Sequence, residues 1–140
     1  VARPESATME VAMRMALKNA QLAAEDIGYI NAHGTATEQG DVAESQATFR
    51  VFGKQTPISS LKGYFGHTLG ACGALEAWMS VEMLNQGWYA GNVNLDQVDA
   101  ACGELDYLPL SGREMDCDYI MSNNFAFGGI NTSLIFKKYI

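Results

Sequence analysis

The stretch "SSLKGYFGHTLGACG", Ser59–Gly73, sets four glycines, one lysine and one of the chain's two histidines between two apolar segments. "QTPISS", ending at Ser60, reads as a short strand ahead of it. Behind it the apolar residues recur at helical spacing as far as Gln86, where Gly87 supplies a stop. Glycines remove bulk where a backbone turns sharply or approaches another group. The pattern predicts a strand, a crowded junction and a helix over His67–Gln86, with Lys62 and His67 on the rim of a mostly apolar spot.

Working toward the N-terminus, Asp41 with Glu44 three residues on reads as a capping box opening a helix through Phe52, whose Val42, Ala43, Ala47 and Val51 face a core. "HGTATEQG" before it is a loop, and "DIGYINA", Asp26–Ala32, is a β-branched and aromatic strand. Over Glu5–Ala24, Met9, Ala12, Met13, Ala16, Leu17 and Ala20 mark an amphipathic helix, with Ser6 or Thr8 as its cap. Helix, strand, helix, strand, helix is the signature of an α/β fold with helices layered against a sheet. Towards the C-terminus, "DYIMSNN" and "TSLIFKKY" are two strands around the glycine turn "FAFGGIN", a hairpin added to that sheet. Residues 87–117 lack periodicity and read as an excursion over the surface.

The chain has 140 residues, 48% of them apolar, which suits a single domain. With nine Lys and Arg and a net charge of −7, it cannot present the broad positive field that nucleic acid or an anionic membrane selects. Small molecules or proteins are the expected partners. Three cysteines without C-x-x-C or ligand spacing argue against a disulfide framework or a metal site, and fit a reducing cytoplasm. No targeting segment is legible. The apolar run Tyr64–Val81 contains His67, Glu76 and glycines, poor material for a bilayer span.

Three loops share one property: each follows a predicted strand and sets glycine beside a hydrogen-bond donor. They begin at His33, Lys62 and Asn124. In open α/β sheets, ligands bind outside the carboxyl ends of the strands. Glu76, within the apolar "GACGALEAW", needs a buried partner, and Lys62 is the natural one. Met9, Met13, Met79 and Met83 read as core. Cys72 reads as a small packing residue.

On "YINAHGTAT", "GDVAESQA", "ISSLKGYFGHTLGACGALEA", "VNLDQVD", "LDYLP" and "SNNFAFGGINTSLIFKKY", the chain resembles the C-terminal half of the elongating, type II β-ketoacyl-acyl-carrier-protein synthases of the thiolase superfamily. The resemblance runs nearly end to end. It implies a thiolase-like half domain, layered helices against a mixed sheet, over 1–140, without its first strand and without the N-terminal half. It implies decarboxylative Claisen condensation of a malonyl-carrier thioester with an acyl thioester, in fatty-acid or polyene and polyketide-type synthesis. His33 and His67 match the family's enolate-stabilising pair, and Lys62 its orienting lysine. Phe127 matches the residue whose amide holds the acyl-step oxyanion and whose ring gates the pocket, with Gly128 and Gly129 giving that loop its freedom. Thr35 and Thr37 would bind the pantetheine arm, Phe125 and Gly128 the substrate, and Glu76 and Asp41 would serve structural and electrostatic roles.

No metal and no cofactor of the protein's own is implied, the substrates riding on carrier phosphopantetheine. The implied partners are acyl carrier protein, the N-terminal half and, in the complete enzyme, a second copy. The family's nucleophilic cysteine has no counterpart in this chain, so the chain by itself is expected to be inactive; a non-catalytic scaffold of the same fold is the alternative.

Overall fold

The computed structural model describes residues 4–139, with the side chain of Phe127 outside that description. In chain order the elements are α1 (Ser6–Ala20), β1 (Ile27–Asn31), α2 (Glu38–Phe52), β2 (Pro57–Ser59), α3 (Lys62–Phe65), α4 (Cys72–Gln86), β3 (Trp88–Tyr89), β4 (Asp106–Tyr107), β5 (Arg113–Glu114), β6 (Tyr119–Phe125) and β7 (Asn131–Lys137). The main sheet runs β4-β2-β1-β6-β7. β1 pairs in parallel with both β2 and β6, β2 in parallel with β4, and β7 runs antiparallel to β6 as the second arm of the hairpin. The sheet is therefore mixed.

Strand alternation sorts the core into two layers. Ile30 of β1 and Met121 of β6 pack with Met9, Met13 and Leu17 of α1 and with Ala43, Ala47 and Val51 of α2. Tyr29 and Ile120, one residue out of phase, pack with Met83 and Leu84 of α4. Helices thus cover both faces, the layered α/β arrangement expected.

Element ends depart from the sequence reading, each for a local reason. α1 stops at Ala20, because Gln21 turns left-handed (φ 57°) and the Leu22 N–H reaches back to the Leu17 carbonyl at 3.0 Å. Neither Ser6 nor Thr8 caps it. The residue before the helix is Glu5, and the Thr8 hydroxyl donates to the Glu5 carbonyl at 2.9 Å. α2 begins one turn before the expected Asp41–Glu44 box, with Thr37 at its head accepting the Gly40 N–H at 3.3 Å. Replacing Thr37 by valine keeps the shape and deletes the acceptor. A loss of about 1 kcal/mol in denaturant unfolding is expected, and an unchanged midpoint would remove the cap from this account.

The helix expected over His67–Gln86 starts only at Cys72. Lys62–Phe65 forms a separate turn ended by Gly66 (φ 80°), and Leu69, also left-handed (φ 51°), opens a 3-10 turn over Leu69–Ala71. At its other end α4 closes on Gly87 (φ 71°) as expected. Residues 87–117 are more than a surface excursion: β3 and β5 form a two-stranded ribbon, β4 extends the main sheet, and Tyr89 and Leu108 are wholly buried.

Candidate active site

The carboxyl ends of β1, β2 and β6 bring the three glycine loops together. His33 lies two residues past β1, Lys62 opens α3 three residues past β2, and Phe125 is the last residue of β6. Their meeting point is a cleft in which the His33 and His67 rings stand 5.4 Å apart at 86°, with the Phe125 ring 6.2 Å from His33. A Cβ added at Gly73 would meet the Asn124 amide at 3.5 Å, so the head of α4 lies directly against the end of β6.

Lys62 organises the floor. Its buried ammonium donates to Glu76 Oε2 at 2.9 Å and Oε1 at 3.1 Å, to His33 Nδ1 at 3.2 Å and to the His33 carbonyl. Glu76 also accepts from Asn31 Nδ2 at 3.3 Å, and the same nitrogen reaches Ser122 Oγ at 3.0 Å. An ammonium has no acceptor, so His33 Nδ1 must be the unprotonated nitrogen and the ring proton sits on Nε2. Burial first, then the Lys62 charge, with neighbouring His67 adding to the effect, lower His33 to about 4. At neutral pH it is an uncharged N–H donor.

His67 reaches the same tautomer by another route. The Leu69 backbone N–H donates to its Nδ1 at 3.0 Å, a contact made possible by the left-handed Leu69 backbone. A backbone amide can only donate, so the His67 proton is also on Nε2. Two imidazoles, each with Nδ1 tied back, can direct two Nε2–H groups at one developing negative charge.

The other candidate residues lie on the segments that follow β1 and β6. Thr35 and Thr37 hydroxyls are 3.0 Å apart, and Thr37 is also the α2 cap. Asp41, in the first turn of α2, is pushed up by burial, with the Ala36 and Thr35 amides pulling the other way. Phe127–Gly129 is a turn following β6 in which Gly128 and Gly129 both have left-handed φ, 79° and 78°. The ring proposed as a gate, that of Phe127, is outside the described residues.

The roles of two residues lie outside the sequence reading. Cys72 is more than packing: its sulfur lies 3.1 Å from His67 Nδ1 and receives the Thr68 hydroxyl at 3.5 Å. Glu44 does not close a capping box but accepts the N–H groups of His33 and Gly34, each at 2.8 Å. A signal for it existed, since Glu44 falls on the same helical stripe as Thr48 and Val51, all buried. Among the described residues, no cluster of three or more His, Cys, Asp or Glu is gathered as for a metal ion, and no helix is long and apolar enough to cross a membrane.

Fold and cleft together define a thiolase-like ketosynthase half. A β-ketoacyl synthase from Burkholderia phymatum superposes with a TM-score of 0.98 at 60% identity, over 99% of this chain and 34% of that one. A type II PKS acyl-carrier protein in complex with its ketosynthase gives 0.90 at 29% identity, covering 99% and 35%. The 3-oxoacyl-[acyl-carrier-protein] synthase 2 of Coxiella burnetii is 39% identical over 138 residues, 96% of this chain and 33% of that protein. The family described as "Beta-ketoacyl synthase, C-terminal domain" matches residues 1–96, and the chain belongs to it. It spans about one third of the length of these relatives.

Proposed function

We propose that the chain supplies the enolate-stabilising part of a 3-oxoacyl-acyl-carrier-protein synthase, an acyltransferase acting by decarboxylative Claisen condensation. The observation that carries this reading is the crossed pair of Nε2–H imidazoles 5.4 Å apart. As a malonyl thioester loses carbon dioxide, the electron pair of the breaking carbon–carbon bond moves onto the thioester oxygen, where both N–H groups donate to it. The enolate carbon then attacks an acyl thioester carbon and expels a cysteine thiolate. The amide of Phe127 would hold the oxyanion of that second step, its ring would gate the pocket, and Phe125 and Gly128 would line it. Thr35 and Thr37 would bind the pantetheine arm that brings both substrates, so no cofactor of the protein's own is required.

The nucleophile comes from another segment. Cys72 is buried on the Nδ1 side of His67, away from the catalytic Nε2–H; Cys117 is buried and Cys102 half-buried. By itself the chain should not condense. The N-terminal half would cover the face of α4 on which Trp78 is 61% exposed. The complete enzyme is a cytoplasmic homodimer served by acyl carrier protein. The test joins the chain to a cysteine-bearing half and measures carbon dioxide release from a malonyl-carrier thioester. Release that depends on His33 and His67 supports the reading, and undiminished release from the double alanine variant overturns it.

A further inference from the structure

Two buried carboxylates flank the histidine cleft, and only one of them has a cation. Glu76 is held by Lys62. Glu44, 5% exposed, holds nothing but backbone: Oε2 takes the His33 N–H and Oε1 the Gly34 N–H. The Lys62 ammonium makes no hydrogen bond to it, its donors being committed to Glu76 and His33, and acts on it only through its charge. Gripping two adjacent amides takes two acceptor oxygens. A protonated carboxyl keeps one full-strength carbonyl acceptor and only a weaker one at its hydroxyl oxygen, so one of the two amide bonds loses most of its strength. The loop so held includes Ala36 (φ 59°) in the left-handed region, which costs a residue with a Cβ about 1–2 kcal/mol, so the two amide bonds help to hold a conformation the loop would not adopt unaided.

We propose that Glu44 is a proton-operated positioning residue: as a carboxylate it pins the His33–Gly34 backbone and keeps the imidazole facing His67, and on protonation it lets one amide go and the ring loses its aim. The proposal rests on the reading of His33 as an enolate donor. The titratable and charged groups acting on Glu44 are Asp41 one turn earlier on α2, Lys62 on α3, which itself holds Glu76 of α4, and Tyr107 on β4, with His33 after β1 bonded to it through its backbone amide. Burial raises Glu44 to about 7, with Asp41 adding to the rise while the two amides and Lys62 oppose it. His33, held at about 4, cannot own a transition near neutrality. Tyr107 is pushed upward by burial and stays neutral there.

The test uses the complete synthase carrying this chain, with kcat and KM for carbon dioxide release from malonyl-carrier followed from about pH 5.5 to 8.5. Wild-type kcat should rise with a midpoint near that of Glu44 while KM changes little. Glu44→Gln keeps one acceptor and turns an NH2 group toward the other amide. It should stay at the acid-side kcat throughout, at least about tenfold below the wild-type plateau. Glu44→Asp, too short for both amides but still chargeable, should keep the limb with a lower plateau.

Two readouts are independent of turnover. A protonated-carboxyl infrared band should titrate near neutral pH in wild type and be missing in Glu44→Gln. Because Glu44 is raised from 4.5 to about 7, the folded state binds the extra proton between those values, so the group's contribution to stability falls as pH rises through that window. The wild-type melting temperature relative to Glu44→Gln should fall accordingly. A Glu44→Gln enzyme with the wild-type limb intact, or the absence of a titrating band, overturns the proposal. A titrating band in a protein that releases no carbon dioxide at any pH supports the latch and sinks the condensing reading instead.

Discussion

Alanine at His33 or at His67 in the assembled synthase is expected to slow malonyl-carrier decarboxylation about a hundred- to a thousand-fold each, with the folded state kept. The size follows from deleting one preorganised donor to a developing oxyanion in a site sheltered from water. The two variants should differ in their structural cost. His33 is nearly buried and packs on Phe125, so its loss leaves a void and an unpaired Lys62 proton. His67 is exposed in this chain and held by a backbone amide, so its loss should barely move the melting temperature. His33→Gln and His67→Gln, which restore an N–H near the same place, should recover part of the rate. The double alanine variant should fall further than either single variant, though by less than the product of their losses, because the donors act on one oxygen. Equal rates in the double variant and wild type, measured as carbon dioxide release under saturating malonyl-carrier, would remove the imidazole pair from the chemistry. The pH behaviour adds a check of sign. His33, lowered to about 4 from 6.5, binds fewer protons folded than unfolded across that interval, so its contribution to stability is present above 6.5 and lost as pH falls toward 4. The His33→Ala protein should therefore lose less stability on acidification than wild type does.

Much of this arrangement is legible before any coordinates, and the exceptions have physical causes. Strands β1 and β6 follow from alternation and β-branching, and the two core layers follow from Tyr29 against Ile30 and Ile120 against Met121. The three glycine loops at strand ends stand out because few other residues suit their turns. Helix starts were harder. Thr37 and Asp41 are both good caps, and which one wins depends on where the loop from His33 comes down, a tertiary matter. α4 starts five residues later than the spacing predicts because Leu69 adopts a left-handed backbone that no leucine advertises. Strands of two residues, β3, β4 and β5, carry no period at all. Glu44 was hidden by its own plausibility as a capping residue. The sequence around Cys72 shows only small packing residues, whereas its partner, His67, is brought over it by the broken turn between α3 and α4.

Lys62→Met is expected to destabilise the complete protein by about 3–5 kcal/mol, the cost of leaving a buried carboxylate without its cation. Glu76 is 1% exposed and Lys62 7%, so water cannot take over from the missing ammonium. The remaining donor to Glu76, the Asn31 side chain at 3.3 Å, is neutral and shared with Ser122. Removing the carboxylate as well reverses the sign of the argument. In the Lys62→Met, Glu76→Leu double variant two apolar side chains of similar size meet where the ions were, and most of the lost stability should return, as it does when buried ion pairs are replaced whole. Activity should not return with it. His33 Nδ1 then has no donor, both tautomers become available, and the Nε2–H is no longer guaranteed at the enolate oxygen; a loss of about 10–100-fold in carbon dioxide release is expected for a partner that orients a reacting ring. Denaturant unfolding and turnover, measured on the single and double variants, separate the two duties of Lys62. A double variant as unstable as Lys62→Met would mean that the single variant's cost lay outside the ion pair. One that regained full turnover would mean that the His33 tautomer is set by something other than the lysine.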